Sequence, residues 1–397
     1  MKEWRKVKLG DCCEITSSKR CLASVRTKEG IPFFCSKEII LLDKGENIEP
    51  TDFIPEEIYE SVRDKFGVPK AGDLLLTTRG TNGIPYIYKE SDKFYFADGN
   101  LSWFKNFKRN ISNKYLYYWF KSAFGKHEVD AIAKGTAQKA VPIEGLRRIE
   151  LKLPPLSTQH RIASTLSRYD SLIDNYQKQI KLLEEAAQRL YKEWFVNLRF
   201  PGHENTKIVD GVPEGWEKKK LEEIADIIMG QSPKSEFYNK EQKGLPFHQG
   251  VGSYGTRFVN DIVYTTSYTR IAEANSLLFS VRAPVGRLNI SKNKIVIGRG
   301  LAAIKHKDGM QSFLFYMLKE RFFKDNIIGN GSIFASISKN ELLDLRFIIP
   351  ANSIIYKYER FASDIDAKIQ KLDSQLRLLT ESRDRLLPKL LSGEIEV

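Results

Sequence analysis

The sequence lacks the segments that mark membrane-bound, secreted and zinc-binding proteins. It has no run of about 18 apolar residues, and its first residues, MKEWRKVKLGD, do not form a signal peptide. Its 4 cysteines form no C-x-x-C pair, and its 5 histidines are scattered along the chain. We therefore expect a cytoplasmic protein with reduced thiols, no metal site and no membrane partner.

Sequence motifs of catalysis are scarce as well. No G-x-x-x-x-G-K-[ST] phosphate loop occurs. The Asn/Asp-Pro-Pro-aromatic stretch of N6-adenine methyltransferases is missing, because Pro154 and Pro155 are flanked by leucines. No arrangement of Ser, His and Asp, or of Cys and His, has a persuasive spacing. The chain is therefore expected to have no catalytic site and no cofactor of its own.

Acidic residues are outnumbered by basic ones. Lys and Arg total 63 against 50 Asp and Glu, which gives a formal net charge of +13 at pH 7. This balance favours a polyanionic partner, and nucleic acid is the most common one. Many basic proteins bind no polyanion, so the charge alone leaves both interpretations open.

The chain consists of two copies of one plan. KGTAQKAVPIEGLRRIELKLPP (134–155) aligns with NGSIFASISKNELLDLRFIIPA (330–351), and Gly135 matches Gly331 at an offset of 331 − 135 = 196 residues. The same offset continues without a gap through the helical segment that follows each stretch. Because stacked repeats have periods of about 20–50 residues, this pattern indicates duplication of a large unit rather than a solenoid.

Each copy is predicted to be a globular stretch of mixed helices and strands followed by a long helix. GDLLLTTRG (72–80) and LRRIELKLP (146–154) are typical of strands, and SNKYLYYWFKSA (112–123) is typical of a helix. Four parts are predicted, which are a first globular domain (1–156), a central helix (157–199), a linker with a second globular domain (200–350) and a C-terminal helix (351–397).

Both long helices carry an apolar seam with heptad spacing. Every a and d position from Leu166 to Trp194 is apolar, and only Arg383 interrupts the matching seam of the second helix. Two matched seams favour packing of the helices on each other over packing of each on its own domain. The residues predicted to form this contact are Ile173, Tyr176, Ile180, Leu183 and Leu190 in the first helix and Ile365, Ile369, Leu372, Leu376, Leu379 and Leu386 in the second.

Chain connectivity predicts that the two helices run antiparallel. The first leaves one globular domain and leads to the other, so the second must run back along it. A helix over residues 166–194 spans about 43 Å at 1.5 Å per residue. This length is comparable to one turn of B-DNA, about 34–36 Å. The helix pair is therefore predicted to act as a strut that fixes the distance between two similar domains.

The two helical segments resemble the specificity subunits of Type I restriction–modification systems. The segments concerned are LPPLSTQHRIASTLSRYDSLIDNYQKQIKLLEEAAQRLYKEWF (153–195) and FASDIDAKIQKLDSQLRLLTESRDRLLPKLLSGEI (361–395). The LPPL-x-x-Q start of the first and the LLSGE end of the second are similar to hallmarks of that family, and the likeness covers essentially the whole chain. Copy two departs at its helix start, where Ile355 occupies the position of Gln159, so different contacts are expected there.

This resemblance implies an α+β fold with an internal pseudo-twofold repeat, in which two mixed α/β target recognition domains are joined by two antiparallel coiled-coil helices. Each domain would read one half of a bipartite site in double-stranded DNA. The helices would set the gap between the halves and dock two methyltransferase subunits, and endonuclease subunits would join the complex. The methyltransferase subunits would bring S-adenosylmethionine and flip an adenine out of the stack for N6 methylation.

Loops that follow strands are the candidate DNA contacts. The copies share [ST]-x-R-x-x-x-G around Arg79 and Arg282, and residues that differ between copies are candidate base readers because the half-sites should differ. Asn82 suits adenine and Arg287 suits guanine, although charged loop residues are often merely solvated. The predicted DNA contacts are Thr78, Arg79, Asn82, Gln138 and Lys139 in the first domain and Gln231, Ser232, Lys234, Arg282, Arg287 and Arg299 in the second.

Two other classes of function remain open. The chain could be a two-headed scaffold that binds protein partners through its helices without DNA specificity. It could also be the recognition part of a nuclease with catalysis in the same chain, which the missing motifs disfavour.

Overall fold

The computed structural model describes residues 4–46, 48–135, 139–322 and 336–397. The chain divides into two compact units, which are unit 1 (Met1–Gln177 with Ser374–Val397) and unit 2 (Lys178–Asp373). Each unit therefore contains one globular domain and the adjoining parts of both long helices. The cuts after residues 177 and 373 are 373 − 177 = 196 residues apart, which is the offset of the sequence repeat.

The globular part of unit 1 mixes short strands with helices. Its strands are β1 (Arg5–Lys8), β2 (Glu14–Thr16), β3 (Ile31–Phe34), β4 (Phe53–Ile54), β5 (Leu74–Thr77), β6 (Pro85–Ile87), β7 (Tyr95–Phe96), β8 (Leu101–Lys105) and β9 (Glu150–Leu153). Its helices are α1 (Ser36–Asp43), α2 (Glu56–Phe66), α3 (Asn113–Lys121), α4 (Ala123–Ile132), α5 (Ile143–Arg148) and the beginning of α6 (Leu156–Tyr191). The strand predicted over 146–154 was partly wrong, since residues 146–148 close helix α5.

The described residues of unit 1 form three sheets. The largest has the order β2-β8-β5-β6 and is antiparallel throughout, with Leu75 opposite Trp103. A second has the order β4-β3-β7, in which β3 and β7 run parallel. The third pairs β1 with β9, so that Arg5 lies opposite Leu153, immediately before α6 begins. The start of the chain is therefore fixed beside the start of the first long helix.

Unit 2 follows the same plan with additional strands. Its strands are β10 (Ile208–Val209), β11 (Val212–Pro213), β12 (Glu217–Lys220), β13 (Ala225–Met229), β14 (Tyr238–Asn239), β15 (Leu245–His248), β16 (Tyr264–Thr265), β17 (Ile271–Ala272), β18 (Leu277–Ser280), β19 (Leu288–Ile290), β20 (Ile295–Ile297), β21 (Leu301–His306) and β22 (Arg346–Ile349). Its helices are α7 (Leu221–Ile224), α8 (Gln311–Phe322), α9 (Lys339–Leu343) and most of α10 (Asn352–Ser392), with a π-helical turn (Lys192–Val196) after α6.

The sheets of unit 2 repeat the topology of unit 1. The order β13-β21-β18-β19 corresponds to β2-β8-β5-β6, and the pair β12-β22 corresponds to β1-β9. The five-stranded sheet β14-β16-β15-β20-β17 contains a parallel pair, β15 and β20, that corresponds to β3 and β7. The structure thus confirms the internal duplication predicted from the sequence.

The two long helices pack antiparallel within each unit. In unit 1, Leu166 near the start of α6 shares a core with Leu390 near the end of α10. In unit 2, Ala187 near the end of α6 shares a core with Tyr358 and Ala362 near the start of α10. All the seam residues predicted from the sequence are buried or half-buried, namely Ile173, Tyr176, Ile180, Leu183, Leu190, Ile365, Ile369, Leu372, Leu376, Leu379 and Leu386.

Gln159 and Gly393, each part of a hallmark segment, explain how α6 starts and how α10 ends. Gln159 is fully buried, accepts a hydrogen bond from Ser112 N at 2.9 Å and donates to Pro154 O at 2.9 Å, which ties α6 to the start of α3. Gly393 has φ +76°, and a side chain there would lie 3.1 Å from the Trp4 ring. Glycine is therefore favoured both by the left-handed backbone and by this close approach.

Copy two starts its long helix with a different contact, as its sequence led us to expect. The Ile355 side chain has no hydrogen-bonding group. Glu359, one turn later, accepts hydrogen bonds from Ser312 N at 3.1 Å and Phe313 N at 2.8 Å. Burial raises the pKa of this carboxyl. Two backbone donors at the start of α8 are thereby satisfied, as Gln159 satisfies one at the start of α3.

The four thiols are expected to react slowly in the folded chain. All are free, and burial raises the pKa of Cys13 to about 12 and raises the pKa of Cys12, Cys21 and Cys35 above the ordinary value. Since the thiolate is the nucleophile, alkylation by iodoacetamide at pH 8 should be much slower than for a free cysteine and should accelerate as pH rises. Mass spectrometry of timed samples would test this. Rapid labelling of Cys13 without denaturant would contradict it.

Candidate nucleic-acid interface

Several of the predicted DNA contacts of the second domain lie together at strand ends. Ser232, in the loop after β13, accepts a hydrogen bond from Arg299 N at 3.2 Å, in the loop between β20 and β21. The Ser232 hydroxyl donates to Gln249 Oε1 at 2.7 Å, directly after β15. Gln231 N donates to Ile297 O at 2.9 Å in the same group of loops. The structure therefore brings together three loops that are far apart in sequence.

This group of loops is positively charged and open to solvent. Lys234, Arg270 and Arg299 are exposed, and the Lys234 side chain is 82% accessible. Its nearest carboxylate is that of Glu236, at 4.0 Å. Exposed cations of this kind suit phosphate contacts, which position a protein on DNA without reading sequence.

The loop after β15 has the spacing G-x-G-x-x-G over residues 250–255. In dinucleotide-binding proteins such a loop opens a helix. Here it continues into a short 3-10 turn, Val251–Ser253. A side chain at Gly250 or Gly252 would meet open space. The segment is therefore an open loop that a nucleic-acid backbone could approach closely. It lacks the helix start that binds pyrophosphate in dinucleotide-binding proteins.

The matching group of loops in unit 1 was missed by the sequence analysis. Ser17, after β2, accepts a hydrogen bond from Gly99 N at 3.4 Å, as Ser232 does from Arg299 N. The exposed cations Lys19 and Arg20 follow it. The signal was the match of β2 with β13, in which Ile15 corresponds to Ile227 at an offset of 227 − 15 = 212 residues.

Arg79 and Arg282, at the shared motif, are both exposed and occupy matching positions. The backbone of each forms an isolated antiparallel bridge to a later loop, Arg79 with Ala140 and Arg282 with Ser336. Thr78, beside Arg79, is buried, and its carbonyl accepts a hydrogen bond from Val141 N at 2.9 Å. The shared motif thus anchors two loops to each other and leaves the arginine side chain at the surface.

The remaining predicted contacts are distributed over two places. Asn82 donates to Lys139 O at 3.2 Å, and Lys139 is exposed; Gln138 lies outside the described residues. Arg287 lines a cavity of about 350 Å³ together with Glu184 and Lys319. Arg287 is therefore grouped with charged helix residues of unit 2, in a different setting from Ser232 and Arg299.

The structure assembles a Ser, His and Asp group that sequence spacing did not suggest. His248 Nδ1 lies 2.8 Å from Ser253 Oγ, and His248 Nε2 lies 3.0 Å from Asp261 Oδ1. Asn293 also donates to Asp261, at 2.9 Å. Because the His248 side chain has no solvent exposure, the group serves to tie the open loop after β15 to the body of the domain.

Neither a metal centre nor a membrane segment emerges from the described residues. Over these stretches, no three His, Cys, Asp or Glu side chains are grouped so that they could hold a metal ion. Over the same stretches, no helix is both long and apolar enough to cross a lipid bilayer.

A charged group joins domain to helices in each unit. In unit 1, Asp170 of α6 accepts hydrogen bonds from Tyr118 at 2.7 Å and from Arg383 of α10 at 2.8 Å. In unit 2, the matching Asp366 of α10 accepts from Tyr316 at 3.0 Å and from Arg257 at 2.6 Å. The arginine therefore comes from a helix in unit 1 and from the globular domain in unit 2.

Comparisons with known proteins agree with this architecture. The Type I restriction modification DNA specificity domain matches residues 1–185 and again 213–380. A Methanocaldococcus jannaschii protein provisionally named the type I restriction enzyme MjaX specificity subunit is 30% identical over 100% of this chain and 94% of its own. The MjaIX specificity subunit of that organism is 26% identical over the same shares, 100% and 94%. A crystal structure of the Type-I restriction-modification system S subunit from M. genitalium has the same fold, with a TM-score of 0.63, 17% identity and coverage of 98% and 96%. With two copies of the domain in one chain, this protein belongs to the family of Type I restriction–modification specificity subunits.

Proposed function

We propose that this chain gives a Type I restriction–modification complex its DNA sequence specificity. The globular domain of each unit reads one half of a bipartite site in double-stranded DNA. The observation that carries this proposal is that the two domains repeat one strand order but differ in the residues at the matching strand ends. A shared scaffold with different exposed side chains suits two half-sites of different sequence.

Charge supports the choice of DNA as partner. The formal net charge of +13 accompanies exposed cations at matching loops of both domains. Neutralising phosphates releases counterions, so binding should weaken steeply as salt rises. In this proposal the chain binds DNA in the cytoplasm.

The long helices supply the spacing and the docking surface for methyltransferase subunits in this proposal. Leu182 on α6 is 64% exposed, and Leu378 on α10 is 56% exposed. The two positions are 378 − 182 = 196 residues apart, the offset of the repeat. Two equivalent exposed leucines favour two copies of one partner, and endonuclease subunits would join the same complex.

Chemistry in this proposal resides in the partners. The methyltransferase subunits bind S-adenosylmethionine and methylate an adenine that is flipped out of the duplex. The specificity chain places that adenine, through its base and phosphate contacts, and contributes no catalytic group.

Methylation mapping tests the proposal. The chain is co-expressed with its methyltransferase subunit in a methylation-free host, and the genome is sequenced for N6-methyladenine. The expected result is one bipartite motif, two short halves with a fixed unspecified gap. A stable complex without new methylation would refute the proposal and favour a scaffold that binds partners without DNA specificity.

A further inference from the structure

We infer that Gln249 and Arg299 together read a guanine in the half-site of the second domain. The inference rests on the proposed function and identifies a base contact within it. Gln249 was not a candidate from the sequence, because it lies 17 residues from Ser232 and 50 from Arg299 and is joined to them only by the fold.

Hydrogen bonds fix the orientation of the Gln249 amide. Arg299 N donates to Ser232 Oγ at 3.2 Å, which leaves the hydroxyl hydrogen of Ser232 for another acceptor. That hydrogen is donated to Gln249 Oε1 at 2.7 Å. The amide oxygen is thus engaged inside the protein, and the two Nε2 hydrogens of this exposed side chain remain to face a partner.

Two glycines allow Arg299 to lie against Gln249. A side chain at Gly298 would lie 2.7 Å from Gln249 Oε1, and one at Gly300 would lie 2.6 Å from Gln249 O. Any larger residue on either side of Arg299 would therefore push the two loops apart. The Gly-Arg-Gly sequence therefore holds the backbone of Arg299 beside Gln249, and both side chains are exposed.

The chemistry of this pair selects the base. Both groups present hydrogen-bond donors, and in the major groove guanine presents two acceptors, N7 and O6, without a donor. Adenine presents a donor beside its acceptor, which would need the amide oxygen that Ser232 already occupies. The two donor groups, the Arg299 guanidinium and the Gln249 amide nitrogen, therefore favour guanine over adenine.

The first domain keeps the scaffold of this site and lacks its donors. Ala97 N donates to Phe34 O as Gly298 N donates to His248 O, so Asp98 occupies the position of Arg299. Phe34 pairs with Phe96 as His248 pairs with Ile297, so Cys35 occupies the position of Gln249. The same frame thus carries two donor side chains in one domain and a thiol and a carboxylate in the other. The two half-sites should differ at this point.

Variants at the pair would test the inference by methylation mapping of the complete complex. Gln249→Ala and Arg299→Ala should each relax one guanine of the motif, in the same half, by about tenfold or more in relative methylation. Gln249→Glu, which offers only acceptors, should shift that position toward cytosine, whose N4 amino group is a donor. The thermal midpoint of each exposed-site variant should equal that of the parent chain.

Matched controls separate base reading from general weakening. Cys35→Ser changes the equivalent position of the first domain and should leave this guanine intact. Lys234→Ala removes an exposed cation and should lower methylation at all sites without altering the motif. A bipartite motif that Gln249→Ala and Arg299→Ala leave unchanged, or relax only at an A·T pair, would overturn the inference while the proposed function stood. Absence of any motif for the parent chain would instead remove the proposed function.

Discussion

Replacing Arg257 by alanine should destabilise unit 2 by about 3–5 kcal/mol, because it leaves two half-buried carboxylates without their buried cation. Arg257 is 2% exposed; it donates to Asp366 at 2.6 Å and lies 3.5 Å from Glu184 Oε1. Its guanidinium carbon is also 3.6 Å from the centroid of the Phe315 ring. The substitution therefore removes an ion pair and a cation–π contact at the same time.

Urea unfolding monitored by hydrogen exchange would measure this effect unit by unit. Exchange should accelerate in unit 2 and stay unchanged in the globular part of unit 1. Arg383→Ala is the matched control, since its side chain is 25% exposed and also contacts Asp384, so a loss of only about 1 kcal/mol is expected. The double variant Arg257→Met with Asp366→Asn should recover part of the loss, because it removes one of the two carboxylates that Arg257 neutralises. Equal effects of Arg257→Ala and Arg383→Ala would contradict this account.

These two arginines also show what a heptad pattern cannot reveal. Arg383 interrupts the seam, and sequence alone makes it a defect, whereas the fold pairs it with Asp170, 213 residues away. Ala187 stands at the matching position of α6, where 383 − 187 = 196, and there the domain supplies Arg257. An aspartate that matches across the copies is thus satisfied from two different sources. Periodicity predicts which helix faces are apolar, but the origin of a partner charge is set by tertiary structure.

The duplication, the long helices and the mixed character of the domains were predictable, because each rests on long patterns that survive loop variation. The candidate DNA contacts were predicted partly from the alignment of the copies and partly from polar loops of one copy. The Arg79 and Arg282 loops share a motif, and the structure places both arginines at matching exposed positions. The Ser17 loop was missed because its residues differ from those of the Ser232 loop, although the strands before the two loops align. Gln249 was missed because three separate loops place it. The His248 group escaped for the same reason.

Lengthening both helices by one heptad should change the gap of the recognised motif and leave both halves unchanged. Duplicating residues 171–177 in α6 and 367–373 in α10 places the added turns at the boundaries between the compact units, so the contacts inside each unit are kept. Seven residues add about 10 Å of helix, and the seam drifts by only about 20°. That length corresponds to roughly three base pairs at 3.4 Å each.

DNA twist limits how far the gap can follow the helices. Each added base pair also turns the second half-site by about 34–36° around the duplex, at about 10–10.5 base pairs per turn. We therefore expect an increase of about one to three base pairs in a motif mapped by N6-methyladenine sequencing, with methylation of the original motif reduced by about tenfold or more. Insertion into α6 alone is the control; it puts the two seams out of register and should abolish methylation. An intact complex with lengthened helices and an unchanged gap would show that the helices do not set the spacing. The separation of the half-sites would then have to be encoded within the globular domains themselves.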